Sequence, residues 1–153
     1  MTNVLILAAT PIGNLSDASP RLLEHLQSAK FIAAEDTRTT LKLAQALGIR
    51  LNAKLFSLHE HNEADRVAGL IEIAATEDVL VVSDAGMPTV SDPGFQLVRA
   101  AVAAGIDVTV IPGPSAVLSA LAVSGLPTTS EHVRASRSSA PTTASGWGRL
   151  SST

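Results

Sequence analysis

Val79-Leu80-Val81-Val82-Ser83-Asp84-Ala85-Gly86-Met87-Pro88 decides the fold: four aliphatic residues in unbroken succession, then a loop of small, acidic and turn-forming residues. A run this short does not fill a helix, and without polar alternation it suits a parallel strand buried on both faces. Four other short runs recur along the chain: Val4-Leu5-Ile6-Leu7-Ala8-Ala9, Phe31-Ile32-Ala33-Ala34, Lys54-Leu55-Phe56-Ser57-Leu58 and Val108-Thr109-Val110-Ile111. Between them apolar residues fall three and four apart: Leu22, Leu23, Leu26, Ala29; Leu41, Leu43, Ala44, Leu47; Val67, Leu70, Ile71, Ala74; Leu97, Val98, Ala101, Val102. These predict helices, the second opened by the possible cap Thr37 and ended by Gly48, the fourth ended by Gly105. A fifth runs from Ser115 through Val117, Leu118 and Leu121 to Val123, closed by Gly125. Strand and helix alternate, which predicts an α/β fold: a five-stranded, mostly parallel sheet with helices on both faces and ligands beyond the carboxyl ends of its strands.

Composition narrows the chemistry. At 153 residues, 46% of them apolar, the chain has the size of about one globular domain. Its longest apolar run is the six residues from Val4 to Ala9, well short of the roughly 18 to 20 that span a bilayer. Met1-Thr2-Asn3 carries no basic side chain ahead of that run, so neither a membrane helix nor a secretory signal is expected, and the expected location is the cytoplasm. With no cysteine, disulfides, thiolate zinc sites and a cysteine nucleophile are excluded. Residues 1–127 hold 8 Lys and Arg against 13 Asp and Glu, net −5, whereas 128–153 hold 3 arginines against Glu131, net +2. That is no basic footprint for nucleic acid, whose phosphates draw most of their affinity from clustered Lys and Arg.

Three loops at predicted strand ends hold nearly all the Pro, Gly and Asp of the core: Thr10-Pro11-Ile12-Gly13-Asn14, the stretch from Ser83 to Gly94, and Pro112-Gly113-Pro114-Ser115. They are expected to converge on one cleft, where they would be more than chain-turning devices; the alternative is ordinary turn chemistry. The first lacks both G-x-G-x-x-G and G-x-x-x-x-G-K-[ST], so a ligand at this edge is better matched without phosphate. The second carries two Ser-Asp pairs, Ser83-Asp84 and Ser91-Asp92, whose carboxylates suit ribose hydroxyls, an ammonium group or the proton of a substrate hydroxyl. Asp92 also has the position of a cap for a helix beginning at Pro93. Ala34-Glu35-Asp36-Thr37-Arg38 brings two carboxylates and a guanidinium to the same edge, with Asp36 or Thr37 as a helix cap and Arg38 solvated as the purely structural alternative. His59-Glu60-His61-Asn62-Glu63 is either a loop reaching into the cleft or an exposed turn; a closed metal site needs more ligands than the other two histidines offer, and no metal is expected.

In order and spacing, Ala9-Thr10-Pro11-Ile12-Gly13-Asn14-Leu15, Ala34-Glu35-Asp36-Thr37-Arg38, His59-Glu60-His61-Asn62-Glu63, Ser83 to Pro88 with Ser91-Asp92-Pro93-Gly94, and Pro112 to Ala116 with Ser124-Gly125-Leu126-Pro127 form a recognisable set. They resemble the 16S ribosomal RNA ribose-2′-O-methyltransferases of the tetrapyrrole-methylase superfamily, over residues 4–127. The Thr-Pro-Ile-Gly-Asn loop stands where porphyrin methylases have a Gly-rich one. The resemblance implies S-adenosylmethionine as cofactor, the 2′-hydroxyl of a cytidine in small-subunit rRNA as acceptor, the ribosomal subunit as partner, and a cytoplasmic homodimer of two-domain chains. Carried over by position, it implies that Pro11, Ser83, Asp84, Ala85, Gly86, Pro88, Ser91, Asp92, Pro112, Gly113, Ser115 and Ala116 line the cofactor site. Asp92, Glu35 and His61 are the candidate bases for the hydroxyl proton.

The departure begins after Pro127. Residues 1–127 would be the cofactor-binding domain, and no counterpart of the family's second domain is expected in residues 128–153. Of residues 128–153, 12 are Ser or Thr, apolar periodicity is lost and Trp147 stands between two glycines. Such a segment is expected to be disordered or to come from a shifted reading frame. Two alternatives therefore stand beside the methyltransferase: a non-catalytic fragment that keeps the fold, and a methylase of small tetrapyrroles.

Overall fold

The computed structural model describes residues 3–58, 63–88 and 94–127, with backbone alone at 63–65. The segment 128–153, for which disorder is expected, lies outside the described residues. Five strands, β1 (Val4–Ala8), β2 (Phe31–Ala34), β3 (Lys54–Ser57), β4 (Val79–Val82) and β5 (Asp107–Ile111), form one sheet in the order β3-β2-β4-β1-β5. Every neighbouring pair is parallel. The helices are α1 (Pro20–Ser28), α2 (Thr37–Ala46), α3 (Glu63–Ala74), α4 (Phe95–Ala103) and α5 (Ala116–Val123).

The strand order explains the layering. From β1 to β2 to β3 the chain moves one way across the sheet, and from β3 to β4 to β5 it moves back. With right-handed crossovers, the outward helices must lie on one face and the returning helices on the other. Accordingly Leu22 and Leu26 of α1 and Ala44 of α2 join one buried cluster with Ile6, Ile32 and Leu80. Leu70 and Ala74 of α3 and Leu97 and Ala101 of α4 join a second with Leu5, Ala33 and Val81. Successive residues of β1 and β4 thus feed opposite cores, which is why those runs are apolar without alternation.

Three expectations need correction here. Strand β5 is not buried on both faces: at the sheet edge it pairs with β1 alone among the described strands, and Val110 is 43% exposed. On α2, Leu41 is half exposed and the buried positions are Thr40 and Ala44; Thr40 tolerates burial because its hydroxyl donates to the Asp36 carbonyl one turn back. Helix α4 begins at Phe95 with Gly94 at its cap position, two residues later than a start at Pro93. The capping role suggested for Asp92 lies outside the described residues.

Helix α1 shows a start that apolar spacing alone does not reveal. Ser19 accepts from the Leu22 N–H at 3.1 Å, and Pro20 occupies the first helical position, where its missing N–H costs nothing. Ser19→Ala is expected to lower unfolding free energy by about 1 kcal/mol in urea titrations, with Ser19→Asp close to wild type. Equal losses in both variants would show that the cap bond contributes nothing.

The chain divides into two compact units, residues 1–116 and 117–153. Taken alone, the described part of the second unit carries nearly all of α5, whose one polar residue is Ser119; Val117, Leu118 and Val123 are exposed. No helix among the described residues is long and apolar enough to cross a membrane.

Candidate functional site

The five strands end level. Ser57, Ala34, Val82, Ala8 and Ile111 form one rank of register partners across the sheet. The segments that leave after this rank therefore start side by side at one edge. Because the chain passes from β2 and β1 onto one face and from β4, between them, onto the other, the connections diverge there and open a crevice, as at other switch points of doubly wound sheets. Pro11, Asp84 and Pro112 all lie along that edge, on the loops after β1, β4 and β5.

Those loops are tied to one another. The Thr10 N–H donates to the Gly86 carbonyl at 3.0 Å and the Gly86 N–H returns a bond to the Thr10 carbonyl at 3.1 Å. The Thr10 hydroxyl donates to the Ser83 carbonyl at 3.3 Å, and the Ser83 hydroxyl to the Gly86 carbonyl at 3.1 Å. Both side chains are buried, at 1% and 4% exposure, so Ser83 shapes the loop from within. Thr10 belongs to the loop singled out in the sequence, but its bracing of the β4 loop depends on β1 and β4 being neighbours. The Ala9 N–H donates to the Ile111 carbonyl at 3.1 Å, which brings the β5 loop alongside.

Two glycines allow the close approach. Gly86 has φ of 79°, and a Cβ there would meet Ile12 Cγ2 at 3.2 Å and the Pro114 carbonyl oxygen at 3.4 Å. A Cβ on Gly113 would meet Ala9 Cβ at 2.9 Å, closer than such atoms come. Of the other candidates, Asp84, Ala85, Pro112 and Ala116 are exposed, Pro11 and Ser115 half-buried, and Pro88 buried. Ser91, Asp92 and His61 lie outside the described residues.

Glu35, the third candidate base, sits between β2 and α2, half-buried. Its carboxylate Oε2 accepts from the Asp84 N–H at 3.2 Å, and Asp84 Oδ1 accepts from the Asp36 N–H at 3.1 Å. The cap of α2 is Asp36 rather than Thr37, its Oδ1 accepting from the Arg38 N–H at 2.8 Å. Arg38 is not merely solvated: although its side chain is 83% exposed, its guanidinium pairs with Asp36 at 2.7 Å. These bonds from the Arg38 side chain and backbone hold the Asp36 carboxyl down at about 2 from an ordinary 3.8. A depressed carboxyl contributes its stability in full above about pH 3.8 and loses it as pH falls through about 2. The Asp36 carboxyl carbon should therefore titrate in NMR with a midpoint near pH 2, moving toward 3.8 in Arg38→Ala. An unmoved midpoint in that variant would remove Arg38 as the cause. Solvent screening keeps the pair's share of overall stability small.

A pocket of about 660 Å³ opens at the opposite, amino edge, between the end of α1 and the start of β4, and none of the candidates lines it. Its polar groups are engaged with protein partners: Lys30 with Glu77 at 2.9 Å, Asp78 Oδ1 with the Val4 N–H and Asn3 Nδ2 with the Ala75 carbonyl. At the carboxyl edge Asp84 is exposed, with Oδ1 accepting from the Asp36 N–H.

The composition of the carboxyl edge suits a ligand without phosphate. The loops Thr10–Asn14, Ser83–Pro88 and Pro112–Ser115 contain no Lys or Arg to neutralise phosphate, and Gly86 and Gly113 let these loops pack against one another.

Solved structures share this architecture. The uroporphyrin III C-methyltransferase from Thermus thermophilus superposes with a TM-score of 0.56 at 23% identity, covering 82% of this chain and 53% of that one. A putative cobalamin synthesis related protein from Corynebacterium diphtheriae gives 0.52 at 18% identity, over 84% and 60%. The sequence model of the tetrapyrrole (corrin/porphyrin) methylases matches residues 4–152, and the chain belongs to that family. Curated relatives include proteins named ribosomal RNA small subunit methyltransferase I: that of Mycobacterium tuberculosis (strain CDC 1551 / Oshkosh) is 55% identical over 124 residues, covering 80% of this chain and 44% of the relative. The protein of that name from Escherichia coli O157:H7 is 48% identical over 124 residues, covering 80% and 43%. The match thus spans less than half the length of these relatives.

Proposed function

We propose that residues 1–127 are the cofactor-binding domain of a methyltransferase that uses S-adenosylmethionine to methylate the ribose 2′-hydroxyl of a cytidine in small-subunit rRNA. The observation that carries this reading is identity of 48–55% to proteins named for small-subunit rRNA methylation. The carboxyl edge supports it by offering carboxylate and backbone groups without a phosphate cradle. Small-subunit rRNA is the proposed partner, the cytoplasm the proposed location and a homodimer the proposed assembly. A tetrapyrrole substrate has the family's name and the fold in its favour, but the solved neighbours stand at only 18–23% identity, against 48–55% for the relatives named for rRNA methylation.

Bound adenosylmethionine would supply a sulfonium-activated methyl group, so the protein need mainly align the acceptor oxygen with that carbon. Pro11, Ala85, Pro112, Gly113, Ser115 and Ala116 would hold the ligand with backbone and small side chains, while the exposed Asp84 offers a carboxylate to ribose hydroxyls or the ammonium group. Asp92 and His61 remain the proposed acceptors of the hydroxyl proton. Joined to the remaining half of a curated relative, the chain should place one methyl on a cytidine ribose of undermethylated small ribosomal subunits, read by nucleoside mass spectrometry. A methyl on a base, or transfer to a small tetrapyrrole instead, would sink the proposal.

A further inference from the structure

Where β2 and β4 part toward opposite faces, their backbone ladder stops, and two carboxylates continue it. The last ladder bond runs from the Glu35 N–H to the Val82 carbonyl at 3.4 Å. Beyond it neither the Asp84 nor the Asp36 amide bonds a carbonyl among the described residues, because one loop leads to α4 and the other to α2. Each amide is met instead by a side chain from the other loop: Asp84 N–H by Glu35 Oε2 at 3.2 Å, Asp36 N–H by Asp84 Oδ1 at 3.1 Å. The bonds join residues 49 and 48 apart in sequence and run in opposite senses, so neither loop can shift without breaking one. Asp36 also caps α2, which couples the first turn of that helix to the β4 loop.

We infer that Glu35 is a positioning residue for the Ser83–Pro88 loop rather than the base that takes the hydroxyl proton. The assignment rests on the proposal that this loop holds adenosylmethionine. Oε2 is directed at a main-chain amide of the loop, which is where a positioning acceptor has to be. The loop is pinned from both sides: Thr10 bonds Gly86 from β1, and Glu35 bonds Asp84 from β2. Losing either pin lets a loop sample geometries in which its backbone no longer matches a ligand, and affinity falls with the fraction of chains in the competent geometry.

The test uses the full 153-residue chain and nitrogen–proton NMR. Glu35→Gln retains an acceptor oxygen for the Asp84 N–H; Glu35→Ala does not. In Glu35→Ala the Asp84 amide proton is expected to move upfield and exchange at least tenfold faster, while amides of β2 and β4 keep their protection. Titration with adenosylmethionine, followed by the same spectra, should give a Kd raised about tenfold in Glu35→Ala and within about threefold of wild type in Glu35→Gln. Three results overturn the assignment: an Asp84 amide unmoved in Glu35→Ala, an unchanged Kd despite a moved amide, or equal loss of affinity in the Gln and Ala variants. If saturating adenosylmethionine shifts no amide of the wild-type chain, the cofactor reading itself fails and the positioning role falls with it, whatever the Asp84 amide shows.

Discussion

Gly113→Val and Gly86→Val are each expected to lower adenosylmethionine affinity by at least tenfold and to shift the urea midpoint downward. At Gly113 the added Cβ lands 2.9 Å from Ala9 Cβ, and Ala9, 2% exposed at the end of β1, has no room to recede. Overpacking of this kind costs about 1–3 kcal/mol, and two further methyl groups allow no relief by rotation. At Gly86 the cost is first of all conformational: a side chain at φ of 79° carries roughly 1–2 kcal/mol of strain, more when β-branched. The contact with Ile12 Cγ2 at 3.2 Å adds to it, and the reciprocal Thr10–Gly86 bonds are the first to give. Since 1.4 kcal/mol is tenfold in a binding constant, a loop that relaxes by moving should lose at least that factor. Calorimetry and urea unfolding of both variants test this; affinities within threefold of wild type together with unchanged midpoints would show that the edge is not close-packed where the ligand sits.

These glycines were visible in the sequence as members of turn-rich loops, but their reason was not. Strand and helix order was legible because parallel strands fed by two cores read as unbroken apolar runs, as in Val79-Leu80-Val81-Val82, and because Leu22 with Leu26 marks a helical face. What the chain does not announce is the order of the strands in the sheet. Val108-Thr109-Val110-Ile111 reads like a central strand, and only its place beyond β1 leaves Val110 43% exposed. Local competition was equally hidden: Asp36 and Thr37 are both good caps, and the choice falls on Asp36 because its carboxylate reaches the Arg38 N–H and guanidinium together. On α2, apolar spacing favoured Leu41 for the core, yet Thr40 occupies it, since a hydroxyl bonded to its own helix carries little burial cost.

The site follows the same division. Its loops were legible as clusters of Pro, Gly and Asp, but the pairing of Glu35 with Asp84 exists only because β4 returns to lie beside β2. A carboxylate following a strand reads as a candidate base when its neighbours are unknown. Once β4 is placed, the same carboxylate has a main-chain amide in front of it.

On its own, the 153-residue chain is expected to bind adenosylmethionine weakly, with a Kd above roughly 100 μM, and to transfer no methyl group to rRNA; joined to the remaining half of a curated relative it should do both. The carboxyl edge explains why. Among the described residues proposed to hold the ligand, Asp84, Ala85, Pro112 and Ala116 are exposed and Pro11 and Ser115 half-buried, so this part of the site is a shelf. Small-molecule sites bury about 70–90% of their ligand, and a shelf touches it from one side. The uncovered groups keep water as their partner, and each 1.4 kcal/mol of contact left unmade is tenfold in Kd. Catalysis is more sensitive than affinity, because acceptor oxygen, methyl and sulfur must be held in line at about 3–3.5 Å, and an adenosyl group free to rock on one surface does not maintain that alignment. The relatives that carry the activity in their names are more than twice as long as the matched stretch, which leaves ample chain to supply an opposing wall. Calorimetry with adenosylmethionine, then a transfer assay on undermethylated small subunits, compares the two proteins directly. Micromolar binding with turnover by the short chain would show that the shelf suffices; no turnover by the joined protein, with adenosylmethionine bound, would instead favour the non-catalytic fragment.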